Sequence, residues 1–397
     1  MNRLFIAFIA AFFIITQISC SEEEEVTEPT YSIEIIDRVR HIHNFSNAWG
    51  ENPQLSVEFV RKIGDLEGTD ENHMFYHPQD VNIDSRGNIY VLDTGNARIQ
   101  KFNKELEFQA TIGSKGQGPG DLSYPRAIHI DESNILHVYD PANSRFQLFN
   151  EDGSTYSDFK PEMRYMGIQD RLSSGEFIIA AFLPYRFNKN EEAEEVPLIQ
   201  KLDSRGKLLS GFGERFEYND PVANTSCNSP RITHDKLDNI YITMVYQNRV
   251  EKYSSDGVLL FTADRPLNYE VSIPKSNVSG GNIGFMEDLH YVSRGIGIDS
   301  SNRLWVLTHD RQEREEEHLD ISYLSAGTMM RTDVKGNTGL TETDMFVLEV
   351  FTDEGIYLGK IGLNHFCDSM RVINDRIFII DTFRGMCIYE YKITESD

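Results

Sequence analysis

Tyr76 to Leu106 reads YHPQDVNIDSRGNIYVLDTGNARIQKFNKEL, and Tyr124 to Gly153 reads YPRAIHIDESNILHVYDPANSRFQLFNEDG. The two stretches align. Each opens with an alternating strand that ends in Asp (Asp84, Asp131), followed by a tight polar turn. A second strand also ends in Asp (Asp93, Asp140), and a short loop containing Asn-x-Arg leads into a third alternating strand. Period-two alternation between Gly, Asn and Asp turns is the pattern of half-buried strands joined as hairpins. Aspartate suits the turn positions because its carboxylate hydrogen-bonds nearby backbone N–H groups.

Weaker copies continue outward from this pair. Arg231 to Val258, Arg294 to Thr308 with Phe346 to Tyr357, and Arg371 to Tyr391 repeat the same order. Gly167 to Phe182 with Leu198 to Gly206 is a degenerate copy. Six units at this spacing, with little helical periodicity, predict an all-β fold, a six-bladed β-propeller. Most units gain a fourth strand, as in Phe108 to Ile112, Leu208 to Phe212 and Val258 to Phe261. The last unit has no room for one, while Val57 to Gly64 resembles a fourth strand lacking its own first three. We therefore expect the N-terminal strand to close the last blade, which leaves no open sheet edge.

Residues 33–397 are read as the propeller, residues 1–20 as a lipoprotein signal peptide and residues 21–32 as an acidic flexible tether. Arg3 precedes an apolar run from Leu4 to Ile15 that is short for a bilayer span and has the shape of a secretory core. Ser19-Cys20 resembles a lipobox, which implies lipidation of Cys20. The following Glu22 to Glu25 resembles the export tag of surface-displayed lipoproteins in some Gram-negative bacteria. A solvated spacer is the other reading of that run, so the expected location is the outer membrane of a Gram-negative bacterium, with the membrane contacted through the lipid and surface exposure left open. The chain has 397 residues and a net charge of −25, which repels nucleic acid and anionic membrane surfaces. Cys227, Cys367 and Cys387 remain after the anchor; Cys367 with Cys387 is the preferred pair if a disulfide forms, and free thiols are the alternative.

The repeats resemble NHL repeats. Asp93-x-x-Asn96-x-Arg98-Ile99-x-x-Phe102 matches that pattern, and Gly113 to Leu122 followed by Tyr124-Pro125 matches the linker between repeats. The resemblance extends to the six-bladed propeller lipoproteins of Gram-negative bacteria. Some lyases of the NHL type hold zinc and calcium in the channel with histidines. His77, His129, His234, His290 and His365 lie near the inner strands here, but not in register. No cofactor and no metal site are therefore expected, with a channel Ca or Zn as the alternative.

In a propeller whose strands run a to d outward, the b–c and d–a loops share one face. All long insertions fall there: Leu183 to Pro197 and Asp310 to Asp344 between b and c, and Gly113 to Tyr124, Gly213 to Pro230 and Asp264 to Ser293 between d and a. Long loops on a rigid scaffold are where binding residues usually sit. Arg126, Arg231, Arg294 and Arg371 stand at one equivalent position, where strand a lines the channel, and form the candidate ligand-binding ring. Guanidinium grips carboxylate, phosphate or sulfate bidentately. Arg98, Arg145, Arg249 and Arg384 recur at the start of strand c and read as staples onto the recurrent Asp residues.

The first expectation is a non-enzymatic binding module for an anionic small molecule, a glycan or an envelope protein partner. The alternative is a metal-dependent hydrolase or lyase with its site in the channel, although no residue reads as catalytic. A third is a structural subunit of an envelope complex.

Overall fold

The computed structural model describes residues 28–161, 168–181, 196–279, 282–287, 289–326 and 329–395. The signal peptide, Cys20 and most of the tether lie outside these residues, as does nearly all of the insertion from Leu183 to Pro197.

The first blade consists of Pro78–Ile83, Ile89–Asp93, Arg98–Phe102 and Phe108–Ile112, paired antiparallel in that order. Blade 2 is Ala127–Ile130, Leu136–Asp140, Arg145–Phe149 and Thr155–Phe159. Blade 3 is Ile168–Arg171, Phe177–Ala180, Ile199–Leu202 and Leu208–Phe212, so the degenerate repeat makes a full sheet. Blade 4 contains Pro230–His234, Ile240–Met244, Val250–Tyr253 and Leu259–Asp264. Blade 5 contains Ser293–Ile298, Leu304–His309, Phe346–Phe351 and Tyr357–Gly362. Blade 6 has three strands of its own, Ser369–Ile373, Arg376–Asp381 and Cys387–Glu395, and takes Leu55–Ile63 as its fourth. That closing strand runs antiparallel to the C-terminal one, with Val57 opposite Ile393 and Ile63 opposite Ile388, as expected.

Burial follows position in the blade. Ile89–Asp93 and Leu136–Asp140, second in their sheets, are buried along their length, while Phe108–Ile112 and Thr155–Phe159 at the rim are mostly exposed. The core is divided into six seams, one per pair of neighbouring blades. Tyr90, Leu92, Ile128 and Val138 join blades 1 and 2. Tyr139 and Phe146 meet Phe177 and Ile179 between blades 2 and 3. Ile178 packs with Ile232 and Ile242, and Tyr241 with Val306 and Phe351, in the next two. Trp305 and Leu348 meet Ile377 and Ile379, and Phe378 returns to Val81 and Ile89. Each large side chain fully buried in such a seam contributes about 1.5–3 kcal/mol relative to exposure.

The recurrent aspartates act as turn clamps. Asp84 Oδ1 accepts the Arg86 and Asn88 N–H groups at 3.0 and 2.9 Å, and its Oδ2 accepts the Tyr90 hydroxyl at 3.2 Å. Asp235 repeats this with Leu237, Asn239 and Tyr241, and Asp299 with Ser301, Arg303 and the Trp305 indole. One carboxylate thus fixes both the turn and an aromatic ring two residues into the next strand.

Two features lay outside the sequence reading. A hairpin of Tyr31–Ile36 and Val39–Asn44 extends blade 4, its second strand pairing parallel to Leu259–Asp264 with Arg40 opposite Phe261. The cysteine pairing also differs from the preferred one: Cys367 and Cys387 are separate thiols, buried as Cys227 is. Cys367 precedes strand a and Cys387 begins strand c, with Arg376–Asp381 between them. Two strand spacings, roughly 9–10 Å, exceed the reach of a disulfide.

Candidate functional site

The four inner arginines line one cavity of about 360 Å³ at the channel mouth, together with Gln79, Asp80, Asp368, Ser369 and Tyr323. Their convergence depends on a local irregularity in strand a. Arg126 and Arg294 stand five residues before their turn aspartates, Asp131 and Asp299, whereas Arg231 stands four before Asp235. A bulge takes up the extra residue. Ser293 pairs with Thr308 and Gly295 with Leu307, which leaves Arg294 between them; Gln79 is left over in the same way in blade 1. In blade 2 the Arg126 N–H bonds the Tyr139 carbonyl at 2.9 Å although Ala127 is the residue opposite Tyr139. Bulges re-aim side chains, and here they turn residues of unequal register toward one space. Gly295 belongs to this wall as well: a Cβ there would meet the Met370 Cβ at 2.7 Å.

The environments of the four differ. Arg371 forms a fork with Asp80 at 2.7 and 2.9 Å; burial opposes its charge, but the Asp80 carboxylate more than offsets this and raises its pKa. Asp80 also accepts the Ile128 N–H at 3.0 Å, so it links blades 1, 2 and 6. Arg231 donates from Nε to the Arg294 carbonyl at 3.1 Å. Burial, and then the neighbouring charge of Arg294, push its pKa down to about 10. Arg294 lies over the Tyr291 ring at 3.9 Å and donates from Nε to His309 Nε2 at 3.0 Å. His309 accepts that bond as a neutral ring, because burial and the Arg294 charge hold its pKa well below the usual range. Arg126 lies 4.6 Å from the Tyr124 ring centre and 5.3 Å from that of Tyr323. Among the described residues, Arg126, Arg231 and Arg294 have no carboxylate within ion-pair distance.

A strap crosses above them. The strands Leu319–Ala326 and Met329–Gly336 form a hairpin within the b–c insertion of blade 5. Its base is held by Arg311, which donates to both oxygens of Glu317 at 2.7 and 2.6 Å, and by Arg384, which donates to the Glu317 and Asn337 carbonyls. Its far part reaches blade 2, where Thr332 Oγ1 lies 2.8 Å from the Tyr124 hydroxyl and Tyr323 faces Arg126.

The outer arginines are spent on the scaffold. Arg98 Nε meets Asp93 Oδ2 at 2.7 Å, and its Nη2 donates to the Glu71 and Met74 carbonyls. Arg145 donates to the Gly118 and Asp121 carbonyls at 2.6 and 2.9 Å, and Arg249 meets Glu251 at 3.2 Å.

The histidines do not assemble. His234 Nδ1 lies 2.9 Å from Asp170 Oδ2 in the channel, and burial pushes nearby His129 down to about 3. His77 stacks on Tyr76 at 4.1 Å, His290 faces the Glu270 carbonyl at 2.9 Å, and His365 meets the Tyr391 hydroxyl at 2.6 Å. Among the described residues no three His, Cys, Asp or Glu side chains are grouped to hold a metal.

Sequence reasoning missed Asp80, Asp368, Gln79, His309 and Tyr323. Gln79 alone had a visible signal: Pro78-Gln79 stands where Pro125-Arg126 and Pro230-Arg231 stand in other repeats. Tyr323 comes from an insertion, which no repeat alignment places.

No curated protein sequence matches this chain. Among solved structures, a DUF4221 family member from Bacteroides vulgatus superposes with a TM-score of 0.53 at 11% identity, covering 86% of this chain and 99% of its own. A Bacteroides fragilis protein named as exported gives 0.53 at 11% identity, covering 89% and 98%. At such identities the likeness is one of fold. A family model described as a six-bladed beta-propeller matches residues 34–264. With the six sheets in place and that match spanning more than half of its length, the chain belongs to the DUF5128 family of six-bladed beta-propellers.

Proposed function

We propose that this protein is a lipid-anchored envelope propeller of the Gram-negative outer membrane that binds an anionic small molecule in the channel-mouth cavity. The observation that carries the reading is the absence, among the described residues, of any carboxylate within ion-pair distance of Arg126, Arg231 and Arg294. Partly buried guanidinium groups that share a cavity repel one another, and an incoming carboxylate, phosphate or sulfate relieves that cost. The pKa of Arg231 is lowered first by burial and then by the Arg294 charge, which adds to that cost. A cavity of about 360 Å³ suits a small molecule better than a protein surface. Anchoring rests on Cys20 and the apolar run before it.

A thermal-shift screen against sulfate, phosphate, mono- and dicarboxylates and divalent metals tests the binding. A ligand at a hundredfold excess over its dissociation constant adds about 2.7 kcal/mol of stability. The expected result is stabilisation by an anion that disappears in Arg231→Ala. A shift with metals alone, reversed by chelator, would replace this reading with the channel enzyme. For the anchor, incorporation of labelled fatty acid that is lost in Cys20→Ser is the expected outcome.

A further inference from the structure

The cationic groups at the mouth are not spread evenly. Arg231 and Arg294 come from blades 4 and 5 and touch, Nε to carbonyl, at 3.1 Å. Arg126 comes from blade 2, and in a ring of six, blades 2 and 5 stand opposite each other. The cavity is therefore approached by cationic groups from two sides, and Gln79, Asp80, Asp368 and Ser369 of blades 1 and 6 line it between them.

Each side is a cationic pole with its own support. At the first, Tyr291 underlies Arg294 at 3.9 Å and His309 holds its Nε at 3.0 Å. At the second, the strap from blade 5 brings Tyr323 to one side of Arg126 while Tyr124, hydrogen-bonded to Thr332 of that strap, stacks on it at 4.6 Å. Flat aromatic faces fix a guanidinium plane without neutralising its charge. The strap thus anchors across the mouth against the very arginine that stands apart from the other pole.

The charges lining the cavity point the same way. Four arginines and two aspartates line it, and Asp80 is committed to Arg371. With Asp368 ionised the lining keeps an excess of two positive charges, and burial, which raises the Asp368 pKa, acts only to enlarge that excess. A ligand of charge −2 balances the two charges, and the separation of the poles requires its charges at two ends.

We propose that the ligand carries two anionic groups, one seated between Arg231 and Arg294 and the other on Arg126, with a hydrogen-bonding body over Gln79, Asp368 and Ser369. This rests on the anion-binding reading above and names the class of ligand. Tethering two charges in one molecule makes the second contact intramolecular, and such linkage raises affinity by about a hundredfold or more when the spacing matches.

The test is calorimetric titration of the purified protein with α,ω-dicarboxylates of increasing chain length, each against the monocarboxylate of equal length. One length of dicarboxylate is expected to bind about a hundredfold more tightly than its monocarboxylate partner. In Arg126→Ala and in Arg231→Ala that preference should vanish, while monocarboxylate affinity falls in only one of the two. Arg126→Gln, which keeps bulk beside Tyr124, repeats the test if the alanine variant loses its fold. Equal affinity for mono- and dicarboxylates at every length, together with measurable binding, overturns the two-pole arrangement and leaves the anion site standing. An unchanged preference in both Arg126 variants also overturns it. Absence of binding by any mono- or dianion, sulfate included, removes the anion site itself and this inference with it.

Discussion

The inner and outer arginines are the same residue repeated at two radii, and, Arg371 with its Asp80 partner apart, they live in different chemical surroundings. Arg98 is held by Asp93 and two backbone carbonyls, and Arg145 by two carbonyls. Arg231 and Arg294 meet at the channel mouth with no carboxylate within ion-pair distance among the described residues, and Asp368 is the acidic group that faces Arg294. Recurrence alone therefore does not tell which arginines are spent on the scaffold; the acceptors around each one do. Natural folds leave a cationic group uncompensated at a cost in stability, and binding is a reason to bear it.

The largest effect that would sharpen this contrast is on stability at the outer radius. Asp93 is fully buried and accepts from the Tyr76 N–H, Asn96 and Arg98. Asp93→Ala should cost about 3–5 kcal/mol, since it strands a partly buried charge and two donors. Urea unfolding monitors it, and a loss below 1 kcal/mol would show that the clamp is dispensable. Next comes the inner radius. Arg231→Ala should weaken anion binding at least about tenfold, the loss of one charge-assisted contact, while leaving urea stability unchanged or slightly raised because a like charge is gone. A destabilised Arg231→Ala protein would place that residue with the outer set and break the comparison.

A smaller, pH-dependent effect comes from the neighbouring carboxyls of blade 6. Burial, with the charge of Asp368, raises Asp381 to about 7, and burial also raises Asp368. The Arg384 and Gly385 N–H groups donate to Asp381, and Arg294 faces Asp368, without reversing the shift. A carboxyl with a raised pKa in the folded state binds more protons there than when unfolded. Stability from this pair is thus fully present below about pH 4, falls as pH rises toward 7, and is constant above that. Asp381→Asn should flatten that slope in denaturation curves taken between pH 4 and 7. An identical slope in the variant would assign the titration elsewhere. The smallest effect belongs to the turn between the first two strands of blade 1, away from the long loops, where the exposed Arg86 meets Glu151 at 2.5 Å. Arg86→Ala should change stability by no more than about 0.5 kcal/mol and leave anion binding untouched.

What could be read in the sequence was local and repeated. Asp84, Asp235 and Asp299 mark turns whose geometry is set within a few residues, so their spacing carries the blade count. The closing role of Leu55–Ile63 followed from a missing fourth strand, which is arithmetic on the same pattern. The candidate site was legible as far as the repeats reach: the four arginines each stand at or just before the start of strand a, and they line one cavity. Asp368 and Tyr323 were not legible. Asp368 precedes its strand rather than lying in it, and Tyr323 arrives from blade 5 on a hairpin whose path is decided by contacts to blade 2. The hairpin from Tyr31 to Asn44 escaped for a similar reason, since its parallel docking on blade 4 belongs to no repeat.

The closing strand has a consequence for how the ring comes into being. Ser56 and Thr394 meet across 338 positions of chain, so the join that completes the circle unites one of the earliest strands with the very last. Until Cys387–Glu395 is available, Leu55–Ile63 has no partner and blade 6 has a bare flank. Pairing over such a separation forms late and slowly, because the entropy of a long loop must be surrendered before the contact rewards it. The seams between blades can assemble in order along the chain, but the circle is a latch, open until the nine-residue strand Cys387–Glu395 arrives and sensitive as a whole to a cut in either closing strand.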